Sequence, residues 1–186
     1  MDLSTFKEKV RNQQVIYFDE QDFLREKTCD RALLKCWIEE ASLLATSHEK
    51  EKYTLYGIIG NFYRICEEPQ NALLYLEQCL SIAKKEGDFQ KQLVTYVRIG
   101  EALKYSGEYK KAATSFATAF NLCETNALQA YADFIWQHRG KLHMECGQLE
   151  EATDCFSKAL ALRVQKKDPL LIDSTKQALR FVEKLK

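Results

Sequence analysis

Proline and glycine are scarce in this sequence, 2 and 7 among 186 residues. So few chain breakers exclude a fold of many short strands, which needs a turn signal about every 8–12 residues. They leave room for long helices. Neither sign of charge is in excess, with 27 Lys plus Arg against 27 Asp plus Glu. A neutral chain lacks the basic footprint that nucleic acid or an anionic membrane would require. No apolar run approaches the roughly 18 residues of a membrane span. The opening stretch MDLSTFKEKVRNQQ carries charges every few residues, unlike a secretion signal. The expectation is a cytoplasmic protein that binds neither nucleic acid nor membrane. Glycine-rich phosphate loops, G-x-S-x-G and H-E-x-x-H are also missing, which argues against an enzyme. Cysteine is plentiful at 7, but no two have C-x-x-C spacing. Thiolates need such pairs to reach one metal or to form a redox couple, so neither a metal nor a cofactor is expected. The thiols are read as reduced, mostly buried small hydrophobes.

What the sequence does have is a repeat. The stretch YSGEYKKA (105–112) returns as ECGQLEEA (145–152), one step of 40 residues later. The same step links Gly60, Gly100 and Gly140. It links Tyr56, Tyr96 and Trp136, then Ala72, Ala112 and Ala152, then Leu76, Phe116 and Phe156, then Cys79, Ala119 and Ala159. The Gly and Ala columns let two helices approach closely, and the aromatic and Leu/Phe columns fill the space between them. Tyr56, Ile59 and Tyr63 share a helical face, as do Ala72, Leu76 and Cys79 on a second helix.

Gly107 and Gly147 stand where the first helix of a unit should end. Pro69 stands where a second helix should begin. Asp88, Asp168 and Thr125 or Asn126 are candidate caps for the next helix. Each unit is therefore a helical hairpin. The predicted architecture is all-α, a right-handed superhelix of stacked antiparallel hairpins. Residues 1–52 form an N-terminal helical segment with a degenerate repeat, 53–172 form three repeats, and 173–186 form a capping helix. In the first segment, 30–47 is a second helix and 4–28 supplies a first helix broken near Tyr17–Glu20, with Asp19 as a restart cap.

These columns resemble the tetratricopeptide repeat, whose usual unit is about 34 residues. The longer unit here resembles the variety found in Pins-type polarity adaptors and in bacterial quorum-sensing regulators of the Rap type. That resemblance implies a protein-binding solenoid. Tetratricopeptide co-chaperones hold a peptide carboxylate with a Lys/Asn/Asn/Lys/Arg clamp. Here Asn61 matches, whereas Gly57, Arg98, Phe134 and His138 stand at the other four places, so the resemblance does not extend to that ligand.

In a hairpin solenoid the first helices line the concave side. Positions free of the packing columns should face that groove. They are Thr54, Gly57, Asn61, Arg64 and Ile65 in the first unit. The second gives Val94, Val97, Arg98, Glu101, Lys104 and Tyr105. The third gives Phe134, Gln137, His138, Lys141 and Met144, and the cap adds Gln177 and Phe181. Apolar anchors, amides and an excess of base suit a peptide or helix of a partner protein, with Arg64, Arg98 and Lys104 placed for an acidic ligand. The expected function is a non-catalytic interaction module, with a regulatory sensor or antagonist as the alternative. A monomer or weak self-association is expected. Arg139, in a column otherwise held by Ile59 and Ile99, is expected to meet Asp154 or Glu150 or to reach outward. His143 is expected in the core.

Overall fold

A computed structural model describes residues 2–186. The elements run α1 (Leu3–Arg11), β1 (Ile16–Asp19), β2 (Arg25–Thr28), α2 (Arg31–Ser47), α3 (Lys52–Ile65), α4 (Pro69–Lys85) and α5 (Phe89–Tyr105), followed by α6 (Tyr109–Thr125), α7 (Ala132–Glu145), α8 (Leu149–Lys166) and α9 (Pro169–Leu185). Helices α3/α4, α5/α6 and α7/α8 are the three repeated hairpins, each packed on its neighbour, with α9 against α8. No helix among the described residues is long and apolar enough to cross a membrane.

The repeated columns form the contacts between paired helices. A methyl group added at Gly100 would lie 2.4 Å from the Phe116 ring, and one at Gly140 would lie 2.6 Å from Phe156. Both rings are fully buried. Gly100→Ala should therefore cost about 1–3 kcal/mol, because the ring has no room to retreat. Urea unfolding of the variant measures that loss, and an unchanged midpoint would show that α5 and α6 can separate freely.

The turns follow backbone chemistry. Gly107 and Gly147 hold φ of +77° and +73°. In the first unit the same place is taken by Glu67, with φ of +59°, a conformation that disfavours a side chain. Pro69 follows at the first position of α4, where its lack of an N–H costs nothing. Asp88 accepts from the Lys91 N–H at 2.8 Å and Asp168 from the Leu171 N–H at 3.2 Å, capping α5 and α9.

Several expectations need correction. Residues 4–28 are not one interrupted helix. Only Leu3–Arg11 is α-helical, and 16–28 is an antiparallel hairpin in which Ile16 pairs with Thr28 and Asp19 with Arg25. Asp19 does cap, but a single 3-10 turn, accepting from the Gln21 N–H at 2.9 Å. Phe23 and Leu24 then reverse the chain with positive φ. Thr125 and Asn126 close α6 rather than opening α7, which begins through a 3-10 turn at Gln129–Tyr131. Of the two alternatives for Arg139, the outward one stands, and the residue pairs with neither Asp154 nor Glu150. Its guanidinium lies outward over the Trp136 and Phe120 rings, 4.8 and 5.7 Å from their centres. His143 is only half-buried and bonds Gln148 at 2.8 Å. Cys66, Cys79, Cys123 and Cys155 are buried, whereas Cys29, Cys36 and Cys146 are exposed.

Candidate functional site

The inner helices α3, α5 and α7 bring their unrepeated positions to one face, and the β1–β2 hairpin lies across it. Leu24, at the hairpin tip, is buried in a cluster with Met144, Phe181 and Val182. This insertion explains why Met144 and Phe181 are buried although no packing column claims them.

Charged contacts hold the strand that follows. Arg25 donates to the Glu145 carboxylate from Nε at 3.2 Å and from Nη2 at 2.6 Å, and to the Lys104 carbonyl at 3.2 Å. The same Glu145 receives the Lys104 ammonium, and both of these side chains are 1% exposed. Next along the strand, the Glu26 N–H donates to the Tyr105 hydroxyl at 2.7 Å. The Glu26 carboxylate accepts from Arg64 Nη2 at 2.5 Å. The Tyr105 ring stands between two guanidiniums, 4.9 Å from Arg25 and 4.8 Å from Arg64. Desolvation raises the Tyr105 phenol, so it remains a neutral hydrogen-bonding group. Burial would raise Glu26 as well, but Arg64 and Lys141 outweigh it and hold that carboxyl below its usual value.

Behind the hairpin remains a cavity of about 380 Å³. Phe18, Leu24 and Glu26 roof it, and its walls come from α3, α5, α7 and α9. Its charged groups are only partly matched. Arg64 is 5% exposed, and its Nη1 has no hydrogen-bond partner. Glu101 lies 3.0 Å from His138 Nδ1 and 3.8 Å from the Lys104 ammonium, without hydrogen-bond geometry to His138. Burial would raise the Glu101 carboxyl, yet the Lys104 ammonium, the strongest of the opposing influences, holds it well below its ordinary value. Burial lowers His138 more than Glu101 raises it, which keeps the ring neutral at pH 7. The Arg98 guanidinium lies across Gly57, where an added methyl would sit 2.4 Å from Nη1.

The structure gathers Asn61, Arg64, Arg98, Glu101, Phe134, His138 and Lys141 around this cavity, with Gly57, Val97, Gln137 and Gln177 from the wider groove set. Lys104 and Tyr105 lie outside it, under the hairpin. Val94 packs instead on the core of the second hairpin, Ile65 is buried in the first core, and Thr54 is exposed. The hairpin residues Phe18, Leu24, Arg25 and Glu26 were not legible as part of the groove. Nor was Arg163 on α8, which is 3% exposed and bonds Asp133, Gln137 and Thr175 at 3.1, 3.1 and 2.7 Å. A signal for it existed: Arg163 closes a column of Ala83 and Cys123, so a cation stands where the repeat asks for a small apolar residue.

Stacked helical hairpins with a lined inner face define the molecule as an α-solenoid of helical-hairpin repeats. Tetratricopeptide repeat models match residues 55–88, 93–126 and 135–163, and the chain belongs to that family. It is 26% identical over 136 residues to response regulator aspartate phosphatase A of Bacillus subtilis (strain 168). That match covers 70% of this chain, which spans 35% of the relative's length. Among solved structures, the apo form of RapI superposes with a TM-score of 0.67 at 16% identity, over 82% of this chain and 58% of that one. The tetratricopeptide domain of Arabidopsis FLU gives 0.55 at 17%, over 63% of this chain and 98% of that one.

Proposed function

We propose that this chain is a non-catalytic regulatory module whose concave groove receives an extended acidic segment of a partner protein. In this reading its own hairpin occupies the place until that partner arrives. The observation that carries it is the seating of Glu26. An extended strand already lies in the groove, with its carboxylate on Arg64 and its backbone N–H on Tyr105. A partner strand of like chemistry would use the same donors, main-chain bonds giving affinity and side-chain pockets giving specificity. The similarity to a response regulator phosphatase favours a regulatory over a purely structural role, and a response-regulator-like protein is one class of partner it suggests.

The hairpin is tethered through the short stretch 29–30, so its effective concentration at the groove is in the mM range or above. A free segment competes only when that docking is weakened. Fluorescent peptide IYFDEQDFLREKT, copying residues 16–28, should bind full-length Leu24→Ala/Arg25→Ala at least about 10-fold more tightly than it binds the wild type, a difference of about 1.4 kcal/mol. Both substitutions leave the Lys104–Glu145 pair in place. Adding Arg98→Glu should abolish the gain. A weakened variant of native helicity that ignores the peptide would remove the groove as the partner site.

A further inference from the structure

The cavity behind the hairpin is more than space left by imperfect packing. Three cations reach it. Arg64 lines it, although its Nη1, which has no hydrogen-bond partner, is itself enclosed by protein. Among the described residues no carboxylate lies within 4.0 Å of the Arg98 guanidinium or the Lys141 ammonium. Lys141 is 8% exposed and faces the Phe18 ring at 4.9 Å. The two carboxylates at the cavity act on Lys141 from a distance, but Glu26 bonds Arg64 Nη2 and Glu101 faces the Lys104 ammonium, so the cations remain under-matched. A buried cation without a counter-charge is costly, and an anion within the cavity would relieve that cost. Apolar surface from Leu24, Val97, Phe134 and Phe62 lies beside these charges. The volume falls at the small end of small-ligand sites, about 300–1,000 Å³.

We infer that this chamber binds a small organic anion, a carboxylate carried on an apolar body, and that the bound anion holds the hairpin down. The carboxylate meets Arg98 and Lys141, with the Arg64 guanidinium adding its charge from the wall behind them. The apolar body lies between Phe134 on the groove and Phe18 and Leu24 on the hairpin. Because two of those surfaces belong to the hairpin, the closed state binds the anion and the open state does not. By reciprocity the anion then weakens the hold of the groove on a partner segment by the same factor. This regulatory half rests on the groove reading proposed above, whereas the site itself does not.

The hairpin carries its own reporter, since Arg25 and Lys27 are trypsin sites. Phenylacetate, acetate and inorganic phosphate would each be titrated into the full-length chain at constant ionic strength, with chloride as the screening control. Saturable phenylacetate binding is expected below about 1 mM, with acetate at least about 10-fold weaker for want of the apolar body. Cleavage after Arg25 and Lys27 should slow about 10-fold at ten times the dissociation constant, as the open population falls. Arg98→Met, at a half-buried position, should weaken binding about 10-fold with native helicity retained, and Lys141→Met should do the same. Three results would each overturn the site: no saturable carboxylate binding, phosphate binding alone, or phenylacetate affinity indifferent to both substitutions. Anion binding in a protein whose weakened-hairpin variant ignores the strand peptide would leave the site standing and remove only its regulatory role.

Discussion

Glu145→Ala is expected to destabilise the protein by about 3–5 kcal/mol and to release the hairpin in the same step. Glu145 answers two cations from different parts of the chain, Lys104 of α5 and Arg25 of β2. Lys104 is 1% exposed, so removing its carboxylate leaves an ammonium in the interior. Glu101, 3.8 Å away, takes up part of that charge and places the loss toward the lower end of the range. Arg25→Ala removes only the hairpin's share and should cost less, about 1.5–3 kcal/mol, because Arg25 can lose its bonds without stranding a buried charge. The double variant Glu145→Ala/Lys104→Met should recover part of the loss, since an apolar side chain of similar length replaces the stranded ammonium. Urea unfolding of these three variants beside the wild type measures the losses, and trypsin cleavage after Lys27 reports hairpin release. Equal losses for Glu145→Ala and Arg25→Ala would mean that Lys104 finds another partner.

The contrast between these two residues shows which parts of the molecule the sequence discloses. Whatever recurs at the 40-residue step was legible. Gly100 against Phe116, Gly140 against Phe156 and the left-handed Gly107 and Gly147 all follow from packing within a unit, and a local rule repeated three times is readable. The inner face was legible as a set of positions, because whatever the columns did not claim had to point elsewhere. Its state was not. Arg64, Glu101, Lys104 and Lys141 look like solvated groove charges, yet they are buried because a segment 38 to 120 residues away in sequence lies on them or on their partners. That segment gave no helical or strand period strong enough to stand out. In IYFDEQDFLREKT the charges serve the groove and the internal pairs of Lys27 with Asp19 and Asp22, so polarity mimics a solvated linker. A single occurrence also has no repeat to average over. The departures from the columns were the better guide. Arg163 beneath Ala83 and Cys123 marks a charge network, whereas Arg139 beneath Ile59 and Ile99 marks only an outward cation over two rings.

Asp133→Ala should be of similar size, about 3–5 kcal/mol, and should loosen the C-terminal cap before the rest of the solenoid. Asp133 is 2% exposed and accepts from Arg163 Nε at 3.1 Å and from the Lys166 ammonium. Without it, Arg163 keeps neutral acceptors only: Gln137, Thr175, Ser174 and the Leu171 carbonyl. Three of those four sit on α9, so the stranded charge would pull on the contacts that fasten α9 to α8. The opposite deletion is not equivalent. Arg163→Cys puts the residue type of the second unit into the third, and Asp133 retains Lys166, whose ammonium reaches solvent. It should therefore cost clearly less than Asp133→Ala, even though both break the same ion pair. Hydrogen exchange along Pro169–Leu185, compared with exchange in α5, tests the order of loosening. If Asp133→Ala and Arg163→Cys lower stability equally, the pair contributes through its mutual bond. If the aspartate deletion is worse, as expected, the governing quantity is the charge left behind, and the aspartate is there to make a buried arginine tolerable where the repeat supplied a small apolar residue.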